Sequence, residues 1–294
     1  GNHGVILGNG NDRYTSTGGG DDDVTATAGN NNINVGAGAN TVTGGTGNDT
    51  IIGGAGIDTF KFVTANLTSL DTLTGGEGVD ILTLDNASTI DDSDFTLATS
   101  IETVSQDNAN EVMSITLSTL ADAAGVVTLT GNGAANDSFT AGAAFNNALE
   151  INVGTGNDTI KFASAVLTAT DTIDGGAGTD VLMATDEVAI VDADFTLVEN
   201  VETLTGSTAA MAVNATIGGE AAQAGIVTVT FVDTAAATDS LTVAAGFSSA
   251  LTVNLDLGAV NDVDASAFTK VLTVTATGDM LAAATHVLKG GTDS

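Results

Sequence analysis

Residues 44–61 read Gly-Gly-Thr-Gly-Asn-Asp-Thr-Ile-Ile and then Gly-Gly-Ala-Gly-Ile-Asp-Thr-Phe-Lys. These are two consecutive copies of a nonapeptide, Gly-Gly-x-Gly-x-Asp-x-apolar-x, a period that marks a coiled β repeat. The pattern has a physical basis. Glycine allows a tight turn through backbone angles closed to other residues. Such a turn aims carbonyl oxygens inward, and the Asp adds a carboxylate, together giving the hard oxygen donors that Ca²⁺ takes. The x-apolar-x tail is a short strand that sends one side chain into a core.

The register extends upstream. Residues 35–43, 26–34 and 17–25 repeat it, and after the single extra residue Ser16 so do residues 7–15. The metal-side position then holds Asp12, Asp22, Asn31, Asn40, Asp49 and Asp58, and the core position holds Tyr14, Val24, Ile33, Val42, Ile51 and Phe60. Two columns filled together over six units specify a coil. The segment resembles the repeats-in-toxin family. That resemblance implies a right-handed parallel β-roll with two nonapeptides per turn and Ca²⁺ between loops stacked on the same side. Carried over, Asp12, Asn31 and Asp49 would share one edge, and Asp22, Asn40 and Asp58 the other. Asn at two positions offers an oxygen without a charge, so weaker sites are expected there.

The chain has 294 residues, with 37 Asp plus Glu against 5 Lys plus Arg, a formal charge of −32. Such self-repulsion opposes a compact state. Disorder is not the reading, because 43% of residues are hydrophobic; instead, cations are expected to neutralise the acid so that metal binding and folding are one equilibrium. Nucleic acid is excluded as a partner, since it demands Lys and Arg. There is no Cys for a disulfide and no Pro to interrupt a ladder. No apolar run approaches the roughly 20 residues of a membrane span. Extracellular modules bind Ca²⁺ with dissociation constants of about 10⁻⁴ to 10⁻³ M, which points to a secreted, cell-surface location. No leader is visible at residues 1–11. The ending Gly-Gly-Thr-Asp-Ser, residues 290–294, reads as the start of another repeat, so the chain is expected to be part of a longer protein.

A second period is visible. Residues 58–105 align without a gap with residues 158–205, and Lys61, Asp71, Gly75, Asp80, Asp92, Asp94, Phe95, Glu102 and Thr103 recur 100 positions later. Each copy opens on a nonapeptide pair, residues 66–83 and 166–183, which adds Asp71, Asp80, Asp171 and Asp180 as candidate metal ligands; Asp158, the counterpart of Asp58, is a further one. Short runs rich in Val, Ile, Leu, Phe and Thr follow at 95–97, 101–104, 115–117, 126–130, 138–140 and 149–153. Such spacing indicates an all-β fold. The expected whole is a β-solenoid with calcium-binding nonapeptide turns and longer irregular coils. Its divisions would be residues 1–61, 62–161 and 162–294, with helix only near 117–124 and 219–224.

No catalytic site is expected. His3 and His286 stand alone. The pairs Asp92/Asp94 and Asp192/Asp194 resemble glycosidase carboxylates, but they recur in both copies and read as turns or further Ca²⁺ ligands. Glu102 and Glu202 follow an apolar residue and are placed on the outer face by alternation. Lys61 and Lys161 read as partners of nearby Asp. The composition also resembles bacterial surface-layer and large adhesin proteins. That implies a calcium-dependent structural subunit that self-associates on a surface, with cell-surface polysaccharide as a further partner. The rivals are a spacer of a secreted adhesin, an ice-binding β-roll and a non-catalytic module of a secreted enzyme. Ice binding needs Thr-x-Thr ranks aligned coil after coil, and the triplets at 41–43, 128–130, 228–230 and 273–275 are scattered along the chain.

Overall fold

The computed structural model describes residues 1–86, 88–108, 110–131, 133–163, 165–186, 189–207, 213–232, 238–255, 260–276 and 287–291. They form two compact units, Gly1–Phe139 with Ala144–Gly154, and Thr140–Ala143 with Thr155–Ser294. Each is a parallel β-solenoid.

In the first unit one face is built from Gly4–Asn9, Asp23–Ala28, Thr41–Thr43, Thr59–Phe62, Ile81–Leu84, Thr103–Gln106, Thr128–Thr130 and Glu150–Asn152. A second face carries Arg13–Thr15, Asn32–Asn34, Thr50–Ala55, Thr72–Glu77 and Ala98–Thr99. Strand alternation sends the middle residue of each short strand inward. Val24, Val42, Phe60, Leu82, Val104, Leu129 and Ile151 therefore stack in register on one side of the core. Tyr14, Ile33, Ile51, Leu73 and Ala98 stack on the other. All are buried except Tyr14, which lies in the first coil.

The register also gives the coil length. Thr41 pairs with Thr59, a step of 18 residues. Thr59 then pairs with Ile81 and Ile81 with Thr103, steps of 22, and Thr103 pairs with Thr128, a step of 25. The nonapeptide roll thus widens into longer coils without a break in the ladder. Its tight turns need glycine: at Gly54 φ is +114°, and the carbonyl of Gly36 from the coil before lies where a Cβ would stand.

The second unit repeats this order. Thr159–Phe162, Val181–Ala184, Thr203–Gly206, Thr228–Thr230, Leu251–Leu255 and Leu272–Ala276 make one face, and Ala189–Ile190, Asn214–Ile217, Thr238–Val243, Val260–Asp264 and Val287–Lys289 another. Among the described residues each unit has one short α-helix, Thr119–Ala124 and Gly219–Ala224, near the expected positions.

Two expectations change. The run at 95–97 is not a strand: Asp92–Phe95 is a 3-10 turn, because Asp91 accepts the Ser93 N–H at 2.8 Å while Asp94 accepts the Asp91 N–H at 3.1 Å. Asx-type bonds of this kind compete with the ladder. The Thr-x-Thr triplets are not all scattered. In the second unit Thr203, Thr228, Thr252 and Thr273 stand in one line, and Thr205, Thr230, Asn254 and Thr275 in the next. Coils of 21 to 25 residues hide this alignment from a search at a fixed period.

Phe60 is fully buried between Val42 and Leu82. Phe60→Ala is expected to destabilise the first unit by about 3–5 kcal/mol through lost burial and the cavity left behind. Val79→Ala, at a residue 53% exposed, is expected to change stability by less than about 0.5 kcal/mol. Chemical denaturation in Ca²⁺ measures both, and equal effects would contradict the stacked core.

Candidate metal centre

The residue just before each strand from Arg13–Thr15 to Ile81–Leu84 is an Asp or Asn, and these residues form two columns in the first unit. In one, Asn31 Oδ1 accepts the Asp12 backbone N–H (3.0 Å), Asp49 Oδ1 that of Asn31 (2.8 Å) and Asp71 Oδ1 that of Asp49 (2.7 Å). In the other, Asn40 Oδ1 accepts from Asp22 (2.8 Å), Asp58 Oδ1 from Asn40 (3.0 Å) and Asp80 Oδ1 from Asp58 (2.8 Å). In the second unit Asp180 Oδ1 accepts from Asp158 (2.8 Å). Each side chain therefore reaches back one coil and satisfies a main-chain donor there. His3 enters the second column from its start, giving its N–H to Asp22 Oδ1 at 2.9 Å and placing Nδ1 2.8 Å from the same oxygen.

The second carboxylate oxygen decides what the columns can hold. Asp58, Asp80 and Asp180 are each 0% exposed, and Oδ2 of each accepts no hydrogen bond among the described residues. Burial pushes all three carboxyls above the usual carboxylate range, Asp80 and Asp180 to about 6, and the charges of Asp58 and Glu102 add to the effect at Asp80. An uncompensated buried charge costs about 3–5 kcal/mol. The oxygens do not stand alone. Asp58 Oδ2 and the Gly75 carbonyl oxygen both press against Gly53, where any Cβ would collide with them. Among the described residues no three His, Cys, Asp or Glu side chains cluster as metal ligands. The donor set is instead a carboxylate oxygen beside main-chain carbonyls, the hard oxygens of a calcium site. A bound Ca²⁺ would supply there the positive charge that the buried carboxylates lack.

Asp12 Oδ2 and Asp49 Oδ2 are likewise buried without a hydrogen bond among the described residues, whereas Asn31, Asn40, Asp71 and Asp171 are satisfied differently. Asn31 Nδ2 donates to the Gly29 carbonyl (3.0 Å) and Asp49 Oδ1 (2.9 Å), and Asn40 Nδ2 to the Gly38 carbonyl (3.3 Å) and Asp58 Oδ1 (2.8 Å). The amide thus covers acceptors that a cation would otherwise use. Asp71 Oδ2 takes the Thr68 N–H (2.8 Å) and hydroxyl (3.1 Å), and Asp171 Oδ2 takes those of Thr168 (2.8 and 3.0 Å). Both sit in turns without the glycine loop, where threonine occupies the oxygen.

The family model of the RTX calcium-binding nonapeptide repeat (4 copies) matches residues 25–60, 69–87 and 168–186. The chain carries repeats-in-toxin calcium-binding nonapeptides. Its cofactor is Ca²⁺, and the β-roll they build is a structural calcium-binding module. No curated protein and no solved structure matches the chain. The matched segments contain Asp58, Asp80 and Asp180, whose second oxygens face no partner, and stop short of two acidic residues in the same columns. Glu102 Oε2 accepts the Asp80 N–H at 2.8 Å, and Glu202 Oε2 the Asp180 N–H at 2.7 Å. Alternation had placed these glutamates outward. They precede the strand rather than belong to it, since Thr103 pairs with Ile81 and Glu102 falls opposite Asp80. The spacing 58, 80, 102, repeated at 158, 180, 202, was the available signal.

The remaining candidates have structural uses. Asp92 Oδ1 accepts N–H groups of Ser118 (2.8 Å) and Ala121 (3.0 Å), and Asp192 Oδ1 those of Gly218 (2.6 Å) and Ala221 (3.0 Å), so each tethers the start of the helix one coil on. Lys61 Nζ lies 2.7 Å from Asp107. His286 lies outside the described residues.

Asp80 and Asp180 bind a proton more readily folded than unfolded. Without metal, their burial therefore destabilises the fold fully above about pH 6, and this is relieved as pH falls towards the ordinary carboxylate value of 3.8. In chelator the thermal midpoint is expected to rise between pH 7 and 5. In saturating Ca²⁺ it is expected to fall over the same interval, because protons compete with the ion. Melting curves followed by circular dichroism test the opposite signs; parallel curves would show that these carboxylates do not exchange protons for metal.

Proposed function

We propose that the chain is a calcium-dependent structural module of an extracellular bacterial surface assembly, such as a surface layer, sheath or filament. Ca²⁺ drives its folding outside the cell and bridges acidic faces of neighbouring copies. The supporting observation is the pair of buried acidic columns within a chain of net charge −32. Carboxylates whose inner oxygens lack a protein donor tie folding to a cation, and millimolar Ca²⁺ is an extracellular condition. Copies this acidic repel one another unless cations lie between them. No helix among the described residues is long and apolar enough to cross a membrane.

Electron microscopy and light scattering of the purified chain test the assembly. Ca²⁺ is expected to convert dispersed protein into repeating sheets or filaments, and chelator to reverse it. A chain that folds with Ca²⁺ yet stays monomeric would be the spacer of a secreted adhesin instead.

The threonine lines of the second unit favour a second reading, binding to an ordered surface such as ice. In a parallel sheet they repeat about every 4.8 Å along the stack. They are interrupted at Asn254, which bonds the Thr230 hydroxyl at 3.1 Å. Thermal hysteresis in the Ca²⁺-loaded chain would support that reading, and its absence would remove it.

A further inference from the structure

Beyond the nonapeptides, each 100-residue copy closes its acidic column in the same unusual way. Ser100 (φ +54°) and Asn200 (φ +55°) are the only non-glycine residues with positive φ among those described. Holding an L-residue in the left-handed region costs about 1–2 kcal/mol, so a conformation present at both positions needs a compensating interaction. Its effect is visible at the neighbouring coil. The Ser100 carbonyl oxygen and Asp80 Oδ2 both press on Gly75 where a Cβ would stand, and the Asn200 carbonyl oxygen presses likewise on Gly175 beside Asp180. This is the arrangement that the Gly75 carbonyl and Asp58 Oδ2 make around Gly53.

The following coil has no Gly-Gly-x-Gly loop, yet its carbonyl occupies the glycine carbonyl's place. Two residues later Glu102 and Glu202 take the column position, where an Asp would be expected. The turn from Ser100 to Glu102 is shorter than the one from Gly75 to Asp80, and the extra methylene of glutamate lets the carboxylate still reach the N–H one coil back. Asp80 and Asp180 are fully buried, and Oδ2 of each accepts no hydrogen bond among the described residues; Asp80 Oδ2 is aimed into this space.

We propose that each copy holds a calcium ion at this junction, between its last nonapeptide and a following coil that lacks the pattern. Asp80, Glu102 and the Ser100 carbonyl would hold one, and Asp180, Glu202 and the Asn200 carbonyl the other. Two carboxylates and a carbonyl are part of a six- to eight-oxygen Ca²⁺ shell, the rest being other carbonyls and water. The left-handed turn is then the device that points a carbonyl at the ion without glycine. The site extends calcium binding from the glycine-rich roll into the irregular coils. The inference rests on the calcium-dependent reading above.

The test is native mass spectrometry of the whole chain in Ca²⁺, wild type against the double variant Glu102→Gln, Glu202→Gln. Glutamine keeps the acceptor for the Asp80 and Asp180 N–H groups while removing the charge. The expected result is two fewer bound ions with an unchanged far-ultraviolet spectrum. Anomalous diffraction from Ca²⁺-grown wild-type crystals gives the answer without a variant, through peaks between the Gly75 and Ser100 loops and between the Gly175 and Asn200 loops. A full ion count in the variant, or anomalous peaks confined to the nonapeptide loops, overturns this inference and leaves the calcium-dependent fold standing. A wild-type chain that binds no Ca²⁺ overturns both.

Discussion

The structure depends on one use of a carboxylate. Its first oxygen accepts a main-chain N–H one coil back, at 2.7 to 3.0 Å for Asp49, Asp58, Asp71, Asp80 and Asp180. Its second oxygen points into the interior. The first bond fixes the register between coils just before each core strand begins, so Phe60 meets Val42 and Leu82 instead of slipping by a residue. The second oxygen creates a charge that the protein alone does not neutralise. Parallel strands of three or four residues have few ladder bonds each, and the carboxylate columns add coil-to-coil bonds where the chain turns.

The departures from the repeat keep the first function while changing the second. Asn31 and Asn40 retain the bond to the coil before and use their amide nitrogens to cover a glycine carbonyl and an Asp oxygen. Asp71 and Asp171 retain the carboxylate and satisfy its second oxygen with Thr68 and Thr168. Glu102 and Glu202 retain both, from a longer side chain. Coil-to-coil bonding is thus held at each of these positions, and negative charge is varied from one to the next.

Much of this was legible in the residues. The nonapeptide encodes turn, ligand and core positions in fixed order, so both columns and the stacked apolar residues of the first unit followed directly. The 100-residue period announced equivalent turns, and both short helices lay near their expected positions. What was not legible depends on coil length. Steps of 25, 24 and 21 residues bring separate Thr-x-Thr triplets into line, which no fixed period reveals, while Glu102 falls opposite Asp80 by a 22-residue step that a nine-residue reading passes over. The strand read at 95–97 failed for a local reason. Side-chain bonds of Asp91 and Asp94 to nearby main chain capture the backbone before a neighbouring strand can.

In a solenoid each coil touches only its neighbours, so stability is nearly a sum of rungs and of the interfaces between them. That makes the placing of charge a graded control. A rung closed by Asn or Thr is expected to hold in the absence of metal, whereas one with a buried unpartnered carboxylate, as at Asp58, Asp80 and Asp180, is expected to hold only when a cation or a proton supplies the missing charge. Mixing the two kinds would confine calcium dependence to chosen rungs, while the charge of −32 opposes a compact metal-free chain. In the calcium-driven folding proposed here, the acidity that opposes a compact chain where the ion is scarce is also its binding capacity where the ion is abundant.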